Sequence, residues 1–270
     1  MERLRLERGD VALRALDFGG SGPPVVLLHG LAGYAGEWGE TAAWLRESHR
    51  VVAPDQRGHG ESTQVPPTVV PEAFVEDVAA WLDALGLERV SLVGQSFGGF
   101  IAFLTAAWHP ERVERLVVAE ASPAPSPSAE QEVRSWLECW PLPFADEGAA
   151  RRFFGGESLR ARAWAGGLEA REDGLWPRFD PETLLLALRE AASGWWDAWS
   201  SIRCPTLVAR GEHGLALEAA RRMVARLDGA LLETVFGAGH DVHLDRPGEW
   251  RSIVERFLDP EGGRVTHGRA

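Results

Sequence analysis

Residues 90–103 read VSLVGQSFGGFIAF, and this stretch decides the fold. A run of strand length enters Gly94-Gln95-Ser96-Phe97-Gly98, and an apolar helical segment follows at once. A serine on so tight a turn is forced into strained backbone geometry. Small residues two before and two after it keep the flanking segments from colliding. Gly94 and Gly98 fill both places. The turn lifts the Ser96 hydroxyl clear of the backbone, above the start of a helix. The amide of Phe97, first of that helix, can then point at an oxygen developing negative charge. The same residues could form a glycine-rich turn whose serine only caps a helix; the rest of the chain separates the two readings.

Outward from this turn, strand-length apolar runs alternate with longer segments of helical period. The runs are RLRLE, VALRALDFG, VVLLHG, VVAPD, VSLVGQ, RLVVAE, TLVARG and LLETVFG. That alternation predicts an α/β fold, an eight-stranded, mostly parallel sheet with helices on both faces. In AFVEDVAAWLDALGL the apolar residues at 74, 75, 78, 81, 82 and 85 make one helical stripe, closed by Gly86. The alternation breaks after Glu120. ASPAPSPSAE has a linker composition, and strand pattern resumes only at CPTLVARG from 204. The expected organisation is a core of residues 1–121 and 201–270 with an inserted helical lid, 122–200. The insertion carries seven of the twelve tryptophans: Trp136, Trp140, Trp164, Trp176, Trp195, Trp196 and Trp199. Most should build the lid's own small core. Two or three, with Trp136 and Trp140 as candidates, should line a pocket for an apolar ligand.

At 270 residues the chain can bury a large core, and 45% hydrophobic with 25% charged residues is ordinary for a soluble globular protein. The net charge of −12 argues against a nucleic-acid or anionic-membrane partner, because either needs basic patches. The start MERLRLERGD lacks the apolar stretch of a signal peptide, and runs such as VVLL at 25–28 are too short to span a bilayer. Cys139 and Cys204 are the only cysteines, so neither a disulfide framework nor a four-cysteine zinc site is expected. A cytoplasmic protein acting on a small molecule is the expectation; oligomeric state is not legible.

With four motifs in order, VVLLHGLAGYAGEW, VVAPDQRGHGEST, LVGQSFGGF and VFGAGHDVHLDRPGEW, the chain resembles the α/β-hydrolase superfamily, in particular its lid-bearing esterase, lactonase and carbon–carbon hydrolase branches. The resemblance implies that the turn after His29-Gly30 supplies a second oxyanion amide, that of Leu31, beside that of Phe97. Two such amides contribute roughly 3 kcal/mol of barrier lowering each. Trp38 stands where the family often has a tryptophan, and either packs a helix or contacts substrate. Asp55, Arg57 and His59 of DQRGHGES are read as a structural ion pair with tight glycine turns rather than as a second site.

The resemblance also makes His240 the general base that takes the Ser96 proton and returns it to the leaving group; its ordinary pKa suits both steps. His243, three residues on, should anchor the loop or cap the next helix, since Gly237 and Gly239 mark a loop without the companions of a metal motif. The third member is the open question. The family commonly places an aspartate in Gly-x-x-Asp after the strand TLVARG, and here that register reads Gly211-Glu212-His213-Gly214. Two carboxylates compete, Glu120 at the end of RLVVAE and Glu212 in the loop. Glu120 is favoured, because a charge directly after an apolar strand at the sheet's carboxyl edge faces the crevice where such folds bind ligands.

The activity this implies is hydrolysis of a carboxylic ester or lactone of a small, largely apolar substrate through an acyl-enzyme, with no cofactor and no metal. Carbon–carbon bond hydrolysis and perhydrolysis share the same residues. A receptor that retains the triad but turns over slowly is the reading from another class. A serine rather than an aspartate at the elbow argues against dehalogenase or epoxide hydrolase chemistry.

Overall fold

Val25 and Leu27 pack into one apolar cluster and Val26 and Leu28 into another, so the strand carrying them is buried on both faces. Side chains alternate across a strand, and only a sheet covered by helices on both sides gives each set an apolar neighbour. The computed structural model describes residues 1–124 and 126–259. Pro125 of the expected lid and residues 260–270 of the expected core lie outside the described residues.

The sheet is built from β1 (Glu2–Arg8), β2 (Val11–Gly19), β3 (Pro24–Leu28), β4 (Arg50–Asp55), β5 (Val90–Gln95) and β6 (Val113–Ala119). A separate hairpin, β7 (Leu168–Arg171) and β8 (Gly174–Pro177), intervenes before β9 (Thr206–Gly211) and β10 (Leu231–Val235) complete it. The order across the sheet is β1-β2-β4-β3-β5-β6-β9-β10. The β1–β2 and β2–β4 pairs are antiparallel and all later pairs parallel. The eight runs expected from sequence are these eight strands. The chain passes from β3 outward to β4 and returns on the other side of β3 as β5. The ends of β3 and β5 therefore flank a switch point, where open sheets of this kind leave a crevice.

One face is covered by α1 (Gly39–Leu45) and, at the far end of the chain, by the helix Pro247–Leu258. Ala42, Leu45, Trp250 and Val254 of these two pack beneath the sheet. The other face is covered by α2 (Pro71–Ala84) and α3 (Phe97–Trp108). The α2 stripe is buried at Phe74, Val75, Val78, Trp81 and Leu82, and Gly86 ends it at φ +64°, a left-handed position that favours glycine.

Between β6 and β9 lie α4 (Ala129–Glu138), α5 (Glu147–Phe154), α6 (Leu159–Gly166), the β7–β8 hairpin, α7 (Pro181–Ala191) and α8 (Trp196–Ser200). The segment expected to be a helical lid thus carries a short β-hairpin among its helices. The pairing of Arg171 with Gly174 leaves Glu172 and Asp173 as its two-residue turn, and Gly174, at φ +143°, begins the return strand. The insertion has its own aromatic core of Trp140, Phe144, Phe154 and Phe179, and Ala32 from the main sheet's loop is buried in it. Among the described residues no helix is long and apolar enough to cross a membrane.

Candidate active site

Three non-glycine residues among those described have a left-handed φ: Ala32 (+62°), Ser96 (+53°) and Glu120 (+55°). Such positions cost on the order of 1–3 kcal/mol each and persist where the surroundings over-determine them. All three stand just beyond the carboxyl ends of β3, β5 and β6, which are adjacent in the sheet.

At Ser96 the cause is visible. A β-carbon on Gly94 would collide with the Gly98 carbonyl, and one on Gly98 with the carbonyls of Leu28 and His29. The strand–helix corner is therefore closed as tightly as backbones permit. Ser96 N–H donates to the Ala119 carbonyl at 2.8 Å, and the Ser96 carbonyl accepts the first α3 bond from Phe100 at 3.0 Å. Among the described residues the Phe97 N–H donates to no carbonyl or side chain, and neither does that of Leu31. A β-carbon on Gly30 would lie 3.2 Å from Ser96 Cβ, so the turn carrying Leu31 abuts the serine.

The Leu31 amide is oriented by its neighbours. Gln56 N–H donates to His29 Nε2 at 3.0 Å, which leaves Nδ1 as the protonated nitrogen, and Nδ1 donates to the Gly30 carbonyl at 2.7 Å. Gly33 N–H donates to the same carbonyl at 3.1 Å. The peptide between Gly30 and Leu31 is planar and trans, so holding its carbonyl fixes where its N–H points. Burial pushes the His29 pKa down to about 4, with the Gly30 carbonyl opposing, so the ring is neutral near pH 7.

His240 Nδ1 lies 3.1 Å from Glu120 Oε2. A carboxylate accepts, so Nδ1 carries the hydrogen and the neutral ring keeps its lone pair on Nε2. Glu120 is held in turn by Gly211 N–H on Oε1 at 2.6 Å and Leu215 N–H on Oε2 at 2.8 Å. Glu120 is buried while His240 keeps 58% of its side chain open to solvent. Desolvation at its packed edge pulls the imidazole pKa down, but the hydrogen bond and charge of Glu120, with Asp241 and Asp245, outweigh it, and the pKa is raised. With the ring this open, the carboxylate decides the direction.

Glu212 stands elsewhere. Its Oε2 accepts from Gly237 N–H at 2.8 Å on the exposed surface, and His240 is not its partner. Gln95 was not anticipated from sequence. Its side-chain amide donates to the His240 carbonyl at 2.8 Å, and its Oε1 occupies the space of a Gly30 β-carbon. It ties the histidine loop to the elbow and packs against Gly30, and its only sequence signal is its place beside Ser96.

Several expectations are corrected. Trp38 is completely buried, stacked on His243 at 4.3 Å between ring centroids and facing Trp250, so no surface of it is left for a substrate. Trp136 is 38% exposed and leans edge-on against Trp140 and Trp164. Trp140 does line a crevice, together with Tyr34, Glu37, Trp164 and Phe179. Ser96 and His240 are not among the crevice walls; Ala32, next to Leu31, and Leu244, four residues past His240, are. Arg57 pairs not with Asp55 but with Asp77 of α2, at 2.6 and 2.7 Å. Asp55 instead accepts from the N–H groups of Ala35 and Glu61. His243, the expected loop anchor, lies with Nε2 3.5 Å from the buried carboxylate of Glu37.

Residues 23–147 match the family described as alpha/beta hydrolase fold. Over 254 residues the chain is 30% identical to a putative carbamate hydrolase, RutD, of Caulobacter sp. (strain K31), covering 88% of this chain and 91% of that protein. It is 35% identical over 108 residues to an uncharacterised protein of Mycobacterium tuberculosis, 40% of this chain but only 32% of that protein's length. Among solved structures, E-2-(acetamidomethylene)succinate hydrolase superposes with a TM-score of 0.87 over 96% of this chain and 99% of that one. At 23% identity that likeness speaks to the fold alone.

Proposed function

Since the chain belongs to the α/β-hydrolase fold family, we propose that it is a serine hydrolase that cleaves a carboxylic ester or lactone of a small, largely apolar substrate. Ser96 Oγ attacks the carbonyl carbon as His240 Nε2 takes its proton, and the electron pair of the C=O bond moves to oxygen. The N–H groups of Leu31 and Phe97 stabilise that oxyanion by about 3 kcal/mol each. The tetrahedral species collapses, the leaving alcohol takes the proton from His240, and an acyl-Ser96 remains. Water then attacks the acyl carbon with His240 again as base, and the acid departs. Glu120 keeps the proton on Nδ1 and steadies the imidazolium that forms in each half-reaction.

The observation that carries this reading is the Glu120–His240 hydrogen bond beside an elbow serine whose neighbouring amides are uncommitted. The test is phosphonylation by a fluorophosphonate, together with turnover of p-nitrophenyl butyrate. Wild type should be labelled at Ser96, and Ser96→Ala should lose labelling and at least 10³-fold of kcat/KM. Undiminished hydrolysis by Ser96→Ala overturns the reading. Stoichiometric p-nitrophenol release with near-zero turnover afterwards would favour the receptor instead.

A further inference from the structure

His240 keeps more than half of its side chain in solvent, so packing does little to fix the ring, and it stands in a loop punctuated by Gly237 and Gly239. Glu120 holds one end of the imidazole; the rest depends on how the loop itself is held. Three side chains restrain residues 239–241. Gln95 Nε2 donates to the His240 carbonyl at 2.8 Å, from the elbow. Asp245 Oδ2 accepts from the Gly239 N–H at 2.9 Å, and its Oδ1 accepts from Arg160 at 3.2 Å. Asp241 Oδ2 accepts from Trp164 Nε1 at 3.0 Å.

Arg160 and Trp164 stand four apart on α6 and so share one of its faces. Among the described residues, the side-chain bonds that α6 makes outside the insertion are these two. They reach the residues directly before and after His240, the first by way of Asp245. Fastening the insertion would need bonds anywhere on the sheet domain; both of these converge on the histidine. Asp241 is moreover the N-cap of the short helix Val242–Asp245, where an aspartate ordinarily accepts from the helix's own N–H groups. Its side chain makes no such bond and is turned to the indole instead. Resting on the hydrolase reading above, we propose that Arg160 and Trp164 are positioning residues for the general base: through Asp245 and Asp241 the insertion holds the His240 segment in the place that proton transfer from Ser96 requires. Such transfer tolerates little displacement, an error of about 1 Å costing on the order of 10²-fold in rate. The charged groups acting on His240 are Glu120 at the end of β6 and Asp241 and Asp245 of its own segment, with Arg160 of α6 offsetting Asp245.

Kinetics on p-nitrophenyl butyrate and an NMR titration of the His240 ring, both on the full chain, test this. Trp164→Phe removes the donor and keeps an aromatic ring against Phe154. It should lower kcat about tenfold with KM within about twofold, and weaken the low-field signal of the His240 Nδ1 proton. Arg160→Met frees the Asp245 charge, which favours the imidazolium. It should lower kcat about threefold and move the His240 titration to higher pH by a few tenths of a unit. Arg160→Lys, which keeps the charge, should titrate as wild type does. Arg134→Met breaks a pair with Glu182 inside the insertion, away from the histidine segment, and should leave kcat and the titration unchanged. The Arg160 side chain is 43% exposed, so its variants serve if Trp164→Phe does not fold. If the chain shows no Ser96-dependent turnover, the hydrolase reading fails while the NMR signals still read the restraint. Unchanged kcat and His240 signals in both Trp164→Phe and Arg160→Met, or equal changes in Arg134→Met, overturn the inference.

Discussion

The carboxylate of Glu120 occupies the space in which a β-carbon on Gly214 would stand: both oxygens would collide with it. Gly214 is at the register where this fold commonly carries its acid. Its φ is not left-handed, so the glycine is required by space rather than by backbone conformation. On the proposed reading the acid stands at the end of β6 rather than in the loop after β9, and its carboxylate fills the space beside Gly214. The Gly211 and Leu215 N–H groups, on either side of Gly214, hold it.

That coincidence predicts strong coupling. Glu120→Ala should lose 10²–10⁴-fold in kcat/KM, as when the orienting acid is lost elsewhere. Gly214→Asp alone should also be impaired, because it forces a second carboxylate against the first. The double variant Glu120→Ala/Gly214→Asp should recover at least tenfold over Glu120→Ala on p-nitrophenyl butyrate. No recovery would mean that the two positions do not share one carboxylate site.

Glu212→Gln should be nearly silent. Its carboxylate is 45% exposed and its hydrogen bond goes to a loop amide that an amide oxygen can also serve. Turnover within threefold of wild type and a stability change within about 0.5 kcal/mol are expected from kinetics and urea unfolding. A hundredfold loss of kcat/KM would return Glu212 to the site.

The pH dependence of kcat/KM should report His240. The base must be neutral, so activity rises as pH passes its pKa, and the pairing with Glu120 places that limb above the ordinary 6.5. Glu120→Gln removes the negative charge that favours the imidazolium and should move the limb to lower pH while depressing the plateau. A limb that stays in place on that substitution would show that Glu120 does not set the histidine's charge.

How much of this was legible in the sequence depended on how local each feature is. The elbow is written in Gly94, Ser96 and Gly98, because steric exclusion at one corner dictates small residues at fixed spacing. The eight strands are written in apolar runs, but not their order, which comes from crossovers that periodicity does not encode. The missing acid at Gly214 could be read; its cause could not, since Glu120 and Gly214 meet only through the adjacency of β6 and β9. Arg57 was matched to the wrong aspartate for the same reason, its partner Asp77 lying twenty residues away on a helix that folds back over it. The Glu37–His243 pair joins residues more than two hundred positions apart, with no local pattern to announce it.

Acid should weaken the fold through two histidines behind the site. Burial pushes His29 down to about 4, and burial together with the His29 charge pushes His59 to about 3. In the unfolded chain both titrate near 6.5, so as pH falls from 6.5 the unfolded state takes up protons that the folded state refuses, and stability drops with them. Between pH 7 and 5 this amounts to roughly 2 kcal/mol per histidine. The buried acids Glu37 and Asp55, with pKa values raised by burial, work in the opposite sense, since their contribution is lost as pH rises. Urea midpoints at pH 7 and pH 5 should therefore differ in wild type, and His59→Gln should show a clearly smaller drop. An equal drop in the variant would place the acid sensitivity outside this pair.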